Sequence, residues 1–314
     1  DWSSDVCSSD LSFAVTASFV LTASYAAALV SPIINVSGST LYSVNPAAGL
    51  PMSASVSHSI FFGSASGYLA SGANYSNFLG TLSGYKATRA NNSNFFGSGA
   101  GYFATGAYNS NFIGLQAGYK ASGSDDSNFF GSLAGYSASN ASFSNFIGNI
   151  AGYKAIYAGY SNFIGNSAGY GATSASYSNF IGLGAGQSSS FASHSILIGY
   201  QAGLRNSSVV SNGIGANNII IGTNITLPEN YSNGINIGGL IFGSGTYSNT
   251  GVGTLPVSGS ANGRIGINQP FPSYSLDVSG STNISGSLTV TGSVRFGTLV
   301  NTAQSNVVAY DTTT

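Results

Sequence analysis

Charge is nearly missing from this sequence. Only 5% of its residues are Asp, Glu, Lys or Arg, against about a quarter in an ordinary globular domain. Seven basic residues, scattered along 314 positions with a net charge of −1, exclude a nucleic-acid surface, which needs clustered Lys and Arg. The eight acidic residues are too thinly spread for the paired carboxylates of a polysaccharide-cleaving groove. Cysteine occurs once, at Cys7, which leaves no disulfide and no Cys-based metal site within the chain. No Gly-Lys pair exists, so there is no P-loop, and "GSGAG" at 97–101 is repeat punctuation rather than a dinucleotide turn. No Gly-x-Ser-x-Gly elbow is expected and H-E-x-x-H is absent, as is the calcium-binding G-G-x-G-x-D nonapeptide. The reading is of a protein that is not an enzyme and takes no cofactor or metal.

What fills the space instead is Gly (44 residues), with Ser, Asn, Ala, Tyr and Phe, and 43% of the chain is hydrophobic. A disordered chain rarely carries so much apolar surface, so this one folds or aggregates. The first eleven residues, "DWSSDVCSSDL", resemble a translated sequencing-adapter remnant and are set aside from fold reasoning. Residues 12–30 are apolar and near the lower length limit for a membrane span. Ser and Thr recur through them, however, and "TASFVL" at 16 is answered by "TASYAA" at 22. Residues 12–57 are therefore read as a repetitive N-terminal shaft or linker, with no membrane span expected.

The central fact is a repeat. The Gly that closes the F-I-G phrase falls at Gly63, Gly80, Gly97, Gly114, Gly131, Gly148, Gly165, Gly182 and Gly199, every step seventeen residues. A second Gly follows each one, from Gly67 to Gly203, and Tyr follows that Gly in seven of the nine copies, Tyr68 to Tyr170. A fixed period without insertions gives each copy the same place in a stack. Phe, Ile and Tyr suit strands, Gly suits turns and close backbone approach, and copies this short and Gly-rich are poor helix pairs. The expectation is an all-β, parallel β-solenoid of 17-residue coils over residues 58–204. Each coil is expected to hold two short strands, S-N-F-I-G and A-G-Y-x-A. Nine rungs at ~4.8 Å would span roughly 43 Å.

Two apolar columns stand side by side in such a stack. One begins at Phe78 and Phe95, the other at Leu79 and Phe96. Neighbouring side chains in a strand point to opposite faces, so one column fills the inside and the other faces out. A row of exposed large apolar residues needs a cover, and another copy of the chain is the economical one. Alternation alone does not say which column is which.

The N-F-I-G-x-x-A-G phrase resembles the head repeats of trimeric autotransporter adhesins and related repeats of phage and viral tail fibres. The likeness runs clearly over 58–204 and loosely over 205–266, where the period breaks and the β-roll continues irregularly. It implies a left-handed parallel β-roll, three chains side by side as a homotrimer, no catalytic centre, and a place on a virion or cell surface. Residues 267–314 resemble, at "RIGINQPFPSYSLDVSGSTNISGSLTVTGSV", the connector toward a C-terminal assembly domain. The chain is read as a fragment open at both ends.

Binding, on this reading, would use the slots that vary within the repeat. They are Tyr75, Asn92, Asn109, Asp126, Phe143, Tyr160, Tyr177 and His194, just ahead of the N-F-I-G phrase, and surface glycans or a host receptor are the expected partners. His58 and His194 share that slot in distant copies, so a joint metal or catalytic role is set aside. Asp125 and Asp126 are read as a solvated turn, since adjacent carboxylates point apart in a strand. The Tyr68–Tyr170 column is read as structural stacking before sugar stacking. An ice-binding solenoid is the weaker alternative, because it would want a flat column of Thr.

Overall fold

The computed structural model describes residues 33–37, 40–44, 56–204, 213–245 and 263–291, the first two stretches as backbone only. All its elements are strands. β1 (Ile33–Ser37) and β2 (Thr40–Val44) form an antiparallel pair. The repeat then contributes one strand per coil: β3 (Ile60–Phe62), β4 (Asn77–Leu79), β5 (Asn94–Phe96), β6 (Asn111–Ile113) and β7 (Asn128–Phe130). It continues through β8 (Asn145–Ile147), β9 (Asn162–Ile164), β10 (Asn179–Ile181) and β11 (Ile196–Ile198). β12 (Ile219–Ile221), β13 (Gly234–Ile237), β14 (Ile241–Ser244), β15 (Arg264–Ile267) and β16 (Leu276–Val278) complete one sheet of 16 strands in sequence order.

From β3 to β11 each strand pairs in parallel with the next, Asn77 on Asn94 on Asn111, so like residue stacks on like. The parallel ladder outlives the period. Asn218 takes the stacking place above Ser195 after 23 residues, and Asn233 sits above Asn217 after 16. Beyond β13 the pairing turns antiparallel through β14 and β15. From Gly280 the chain belongs to a second unit, in which residues 280–291 carry no strand. Of the expected shaft over 12–57, only 33–37, 40–44 and 56–57 fall within the described residues.

The chain is a β-solenoid, and its core is one aromatic file. Phe61, Phe78 and their equivalents to Phe180 are fully buried, with successive rings 4.6–4.8 Å apart, and Leu197 and Ile220 extend the file. Within the regular 17-residue coils everything else inside is small. Columns of Ala and Ser surround the rings, and the second repeat Gly lies directly across them. A cross-section holding one large side chain per coil leaves no room for a second. The outward column is therefore the one that begins at Leu79.

The expected second strand does not form. A-G-Y-x-A is a run of turns, and the only pairing beyond it is a single-residue bridge per coil, Ser71 to Thr88 to Thr105 and onward to Thr173. The reason is the backbone. Gly118 and Lys120 have φ of 63° and 53°, left-handed values that no β-strand contains. The backbone groups are paired all the same. Gly118 N–H donates forward to Ala134 (2.8 Å), while Gln116 and Lys120 donate back to Ser98 and Tyr102 (2.8 and 2.7 Å). Between them, Ala117, Tyr119 and Ala121 close turns onto Gly114, Gln116 and Gly118. Alternate residues thus bond between coils and within the coil, which is how an irregular segment is buried without orphaned amides.

Two polar ladders fix the strand side. Asn128 donates its amide to the Asn145 amide oxygen at 2.8 Å, and the same step recurs from Asn77 to Asn179. Ser127, fully buried, accepts the Ser144 N–H at 3.2 Å and donates to the Ala141 carbonyl at 2.7 Å. Each serine of that column satisfies backbone of the coil above it.

Candidate functional site

All eight predicted edge residues fall in one column, and all are exposed. They share a left-handed backbone, from φ 54° at Asn109 to 60° at Phe143. That conformation costs an ordinary residue about 1–2 kcal/mol, and it is held by bonds between coils such as Asp126 N–H to Tyr108 carbonyl at 2.7 Å. The side chains stand out from the turn that leads into each strand.

The column has two chemistries. Asn92, Asn109 and Asp126 make a polar stretch, in which the Asn109 amide donates to the Asp126 carboxylate at 2.9 Å. Phe143, Tyr160, Tyr177 and His194 then form a continuous aromatic stack with centroids 4.7, 4.9 and 5.0 Å apart. At the other end His58 stacks on Tyr75 at 4.8 Å. Each histidine thus lies against a tyrosine ring, and the two stand in far-apart coils of the same column. Inside the stack each ring face is covered by its neighbour, so the column offers edges and phenolic tips to a ligand. Open faces remain only where the stack ends.

The neighbouring variable slot is not free. The Asn91 side-chain oxygen accepts Asn74 N–H at 3.0 Å, and the Asp125 carboxylate accepts Tyr108 N–H at 3.0 Å. Asp125 therefore serves backbone while Asp126 serves Asn109, and the two carboxylates do not converge. No group of three His, Cys, Asp or Glu that could hold a metal occurs among the described residues.

Two sequence features need correction: the Gly-x-Ser-x-Gly run expected to be missing is present, and the arrangement of the lysines was missed. A Gly-x-Ser-x-Gly run does occur, at residues 165–169, but Ser167 lies in a turn and its hydroxyl donates to Asn166 at 2.7 Å. A nucleophile elbow needs a strand-to-helix turn, and the described residues contain no helix. The second feature is the lysines. The chain has three, each directly after a ladder tyrosine, and the same slot recurs on alternate coils: Lys86, Lys120 and Lys154. Their ammonium groups stand 5.5, 5.6 and 5.4 Å from the centroids of Tyr85, Tyr119 and Tyr153. The signal was visible as a recurring Tyr-Lys pair.

The Tyr68–Tyr170 ladder itself is half-buried, with centroids 4.8–5.1 Å apart. At Tyr102, burial first and then Tyr119 and Tyr85 push the phenol above its ordinary pKa. No helix of the described residues is long and apolar enough to cross a membrane. The chain matches no known family model and no curated protein sequence.

Proposed function

We propose that the chain is a segment of a structural and adhesive fibre, tail-fibre-like or the head of a cell-surface adhesin. On this reading it assembles as a parallel homotrimer and displays its Tyr75–His194 edge to a receptor or to surface glycans. The observation that carries it is the outward apolar column. Leu79, Phe96, Ile113, Phe130, Ile147, Ile164 and Ile181 stand in line, each 36–39% exposed, with Phe62 at one end at 52%. A continuous apolar stripe along successive coils is more than a soluble monomer ordinarily leaves in water.

Symmetric closure against copies of the same column covers that stripe without a second protein. The repeat resemblance favours three chains. Closure would leave three copies of the variable edge facing outward, so weak contacts add through avidity. A mixed Ser and Thr column also runs from Ser71 to Thr173, but Ile156 interrupts it, which keeps an ice-binding reading in second place. The test is to assemble the chain on a cleavable trimerisation tail, release the tail, and measure mass by light scattering. A trimer that persists after release supports the reading. A soluble monomer overturns the trimer and removes the fibre reading's main support.

A further inference from the structure

Basic residues that look scattered in the sequence are gathered by the fold. Lys86, Lys120 and Lys154 occupy one column, two coils apart from each other, beside a tyrosine on every coil. At the ~4.8 Å spacing of a β ladder, consecutive ammonium groups recur at roughly 9.6 Å along the solenoid axis. Lys120 and Lys154 are exposed and Lys86 partly so. The carboxylates nearest in sequence are occupied elsewhere, Asp125 by Tyr108 N–H and Asp126 by the Asn109 amide. The stripe is a regular row of cations on a chain that otherwise avoids charge.

The stripe's other half is the tyrosine ladder. Its rings stack nearly parallel, Tyr102 on Tyr119 at 6° and Tyr119 on Tyr136 at 3°. Ring faces are therefore spent on one another, and a ligand meets ring edges and one phenolic hydroxyl per coil. Gly118, at the start of this segment, backs onto the Phe112 ring. The Tyr-Lys stripe thus closes the core on the side away from the strand, and it stays open when the outward apolar column is covered.

We propose that this stripe binds a linear acidic polysaccharide laid along the solenoid axis, one sugar ring per coil and one carboxylate per two rings. An extended pyranose ring advances by about the height of one coil, so a disaccharide repeat matches the lysine repeat. Phenolic hydroxyls exchange hydrogen bonds with sugar hydroxyls on every coil. The ammonium groups take carboxylates on alternate coils and fix the register. A nucleic-acid strand spaces its charges more closely than the lysines. Because the stripe lies on the face away from the apolar column, the proposal does not depend on the trimer.

The test uses the full chain in surface plasmon resonance with four probes: hyaluronan fragments (one carboxylate per disaccharide), polygalacturonate (one per ring), neutral dextran and single-stranded DNA. Binding to hyaluronan and not to dextran is expected. Lys86→Gln, Lys120→Gln and Lys154→Gln together should weaken it about tenfold, since each exposed pair contributes modestly. The deciding variant combines Lys120→Ser with Ser137→Lys, which keeps the charge but breaks the two-coil spacing. Both slots have the same backbone, φ 53° and 52°, so its thermal unfolding should match the parent chain. It should lose hyaluronan affinity several-fold and keep its affinity for polygalacturonate, whose carboxylates meet any coil. Undiminished hyaluronan binding by the spacing variant, no hyaluronan binding by the parent, or single-stranded DNA bound as tightly as hyaluronan would each overturn the proposal.

Discussion

Gly135 faces the ring of Phe129 so closely that a β-carbon on it would stand 2.7 Å from the ring's Cγ. The same contact recurs in every coil that carries the Phe file, so the second repeat Gly is set by a ring and the first by backbone. At Gly131 a β-carbon would meet the Gly148 carbonyl of the next coil, 2.6 Å from its carbon. Neither position tolerates a side chain.

Gly135→Ala and Gly171→Ala separate conformation from space. Both glycines have left-handed φ, 62° and 63°, but nothing lies within 4 Å of a β-carbon on Gly171. Gly171→Ala should cost about 1–2 kcal/mol, the conformational part alone. Gly135→Ala adds overpacking of about 1–3 kcal/mol. Urea unfolding of the two variants checks this, and equal midpoints would contradict the ring contact.

Neighbouring buried serines should respond with opposite sign. Ser127→Ala strips a buried N–H and a buried carbonyl of their partner and should destabilise by about 1–3 kcal/mol. Ser124 is also fully buried, but its hydroxyl has no hydrogen-bond partner, and Ala107 and Ala141 hold the same place in adjoining coils. Ser124→Ala should therefore stabilise by about 1 kcal/mol. Shifts of the same sign in calorimetry would refute the ladder assignment.

Alkali should loosen the tyrosine ladder. Burial, then Tyr119 and Tyr85, raise the Tyr102 pKa, so the folded chain holds that proton more tightly than the unfolded chain. The stability this provides is complete below about pH 10 and falls as pH climbs through the raised value, because the unfolded phenol ionises first. Tyr102→Phe should make the decline above about pH 10 shallower. A variant with the same slope as the parent would place the titrating group elsewhere.

A whole coil should be dispensable. Removing residues 149–165 joins Gly148 to Asn166 and leaves every column in register, since stability in such stacks is roughly a sum over neighbours. Removing 149–156 alone sets Phe and Tyr columns against turn residues. The first chain should stay soluble and unfold cooperatively; the second should aggregate. Indistinguishable circular-dichroism melts would mean the columns are not the source of order.

The period was legible because every coil repeats the same contacts, and the exposure of the Tyr75–His194 column was legible because its residues vary freely in chemistry from coil to coil. The choice between the Phe78 and Leu79 columns was not, since strand alternation is symmetric. A clue did exist within the chain. Residues 78 to 180 of the inner file are always Phe, while the outer file mixes Leu, Phe and Ile, and a packed interior tolerates less change of volume. The second strand was misread because Tyr suits strands, whereas the left-handed residues at Lys86, Phe103 and Lys120 carry no such signature in their side chains. The lysine stripe was missed because basic residues were counted along the chain rather than by their place in the repeat.

Phe146 and Ile147 are adjacent in sequence and opposite in fate, which makes them the pair that reads out assembly. Phe146 is fully buried between two other rings, at 4.7 and 4.8 Å. Phe146→Ala should cost about 3–5 kcal/mol in any oligomeric state. Ile147 is 38% exposed, so Ile147→Asp does little to an isolated solenoid. In an assembly sealed by this column, the same change buries a charge without a partner, and its cost multiplies by the number of chains. Combined with Ile181→Asp, two coils away so that the carboxylates are not direct ladder neighbours, it should lower the stability of the separated chain only slightly while abolishing the persistent trimer in light scattering. A double variant that remains trimeric would show that the outward column is not what joins the chains.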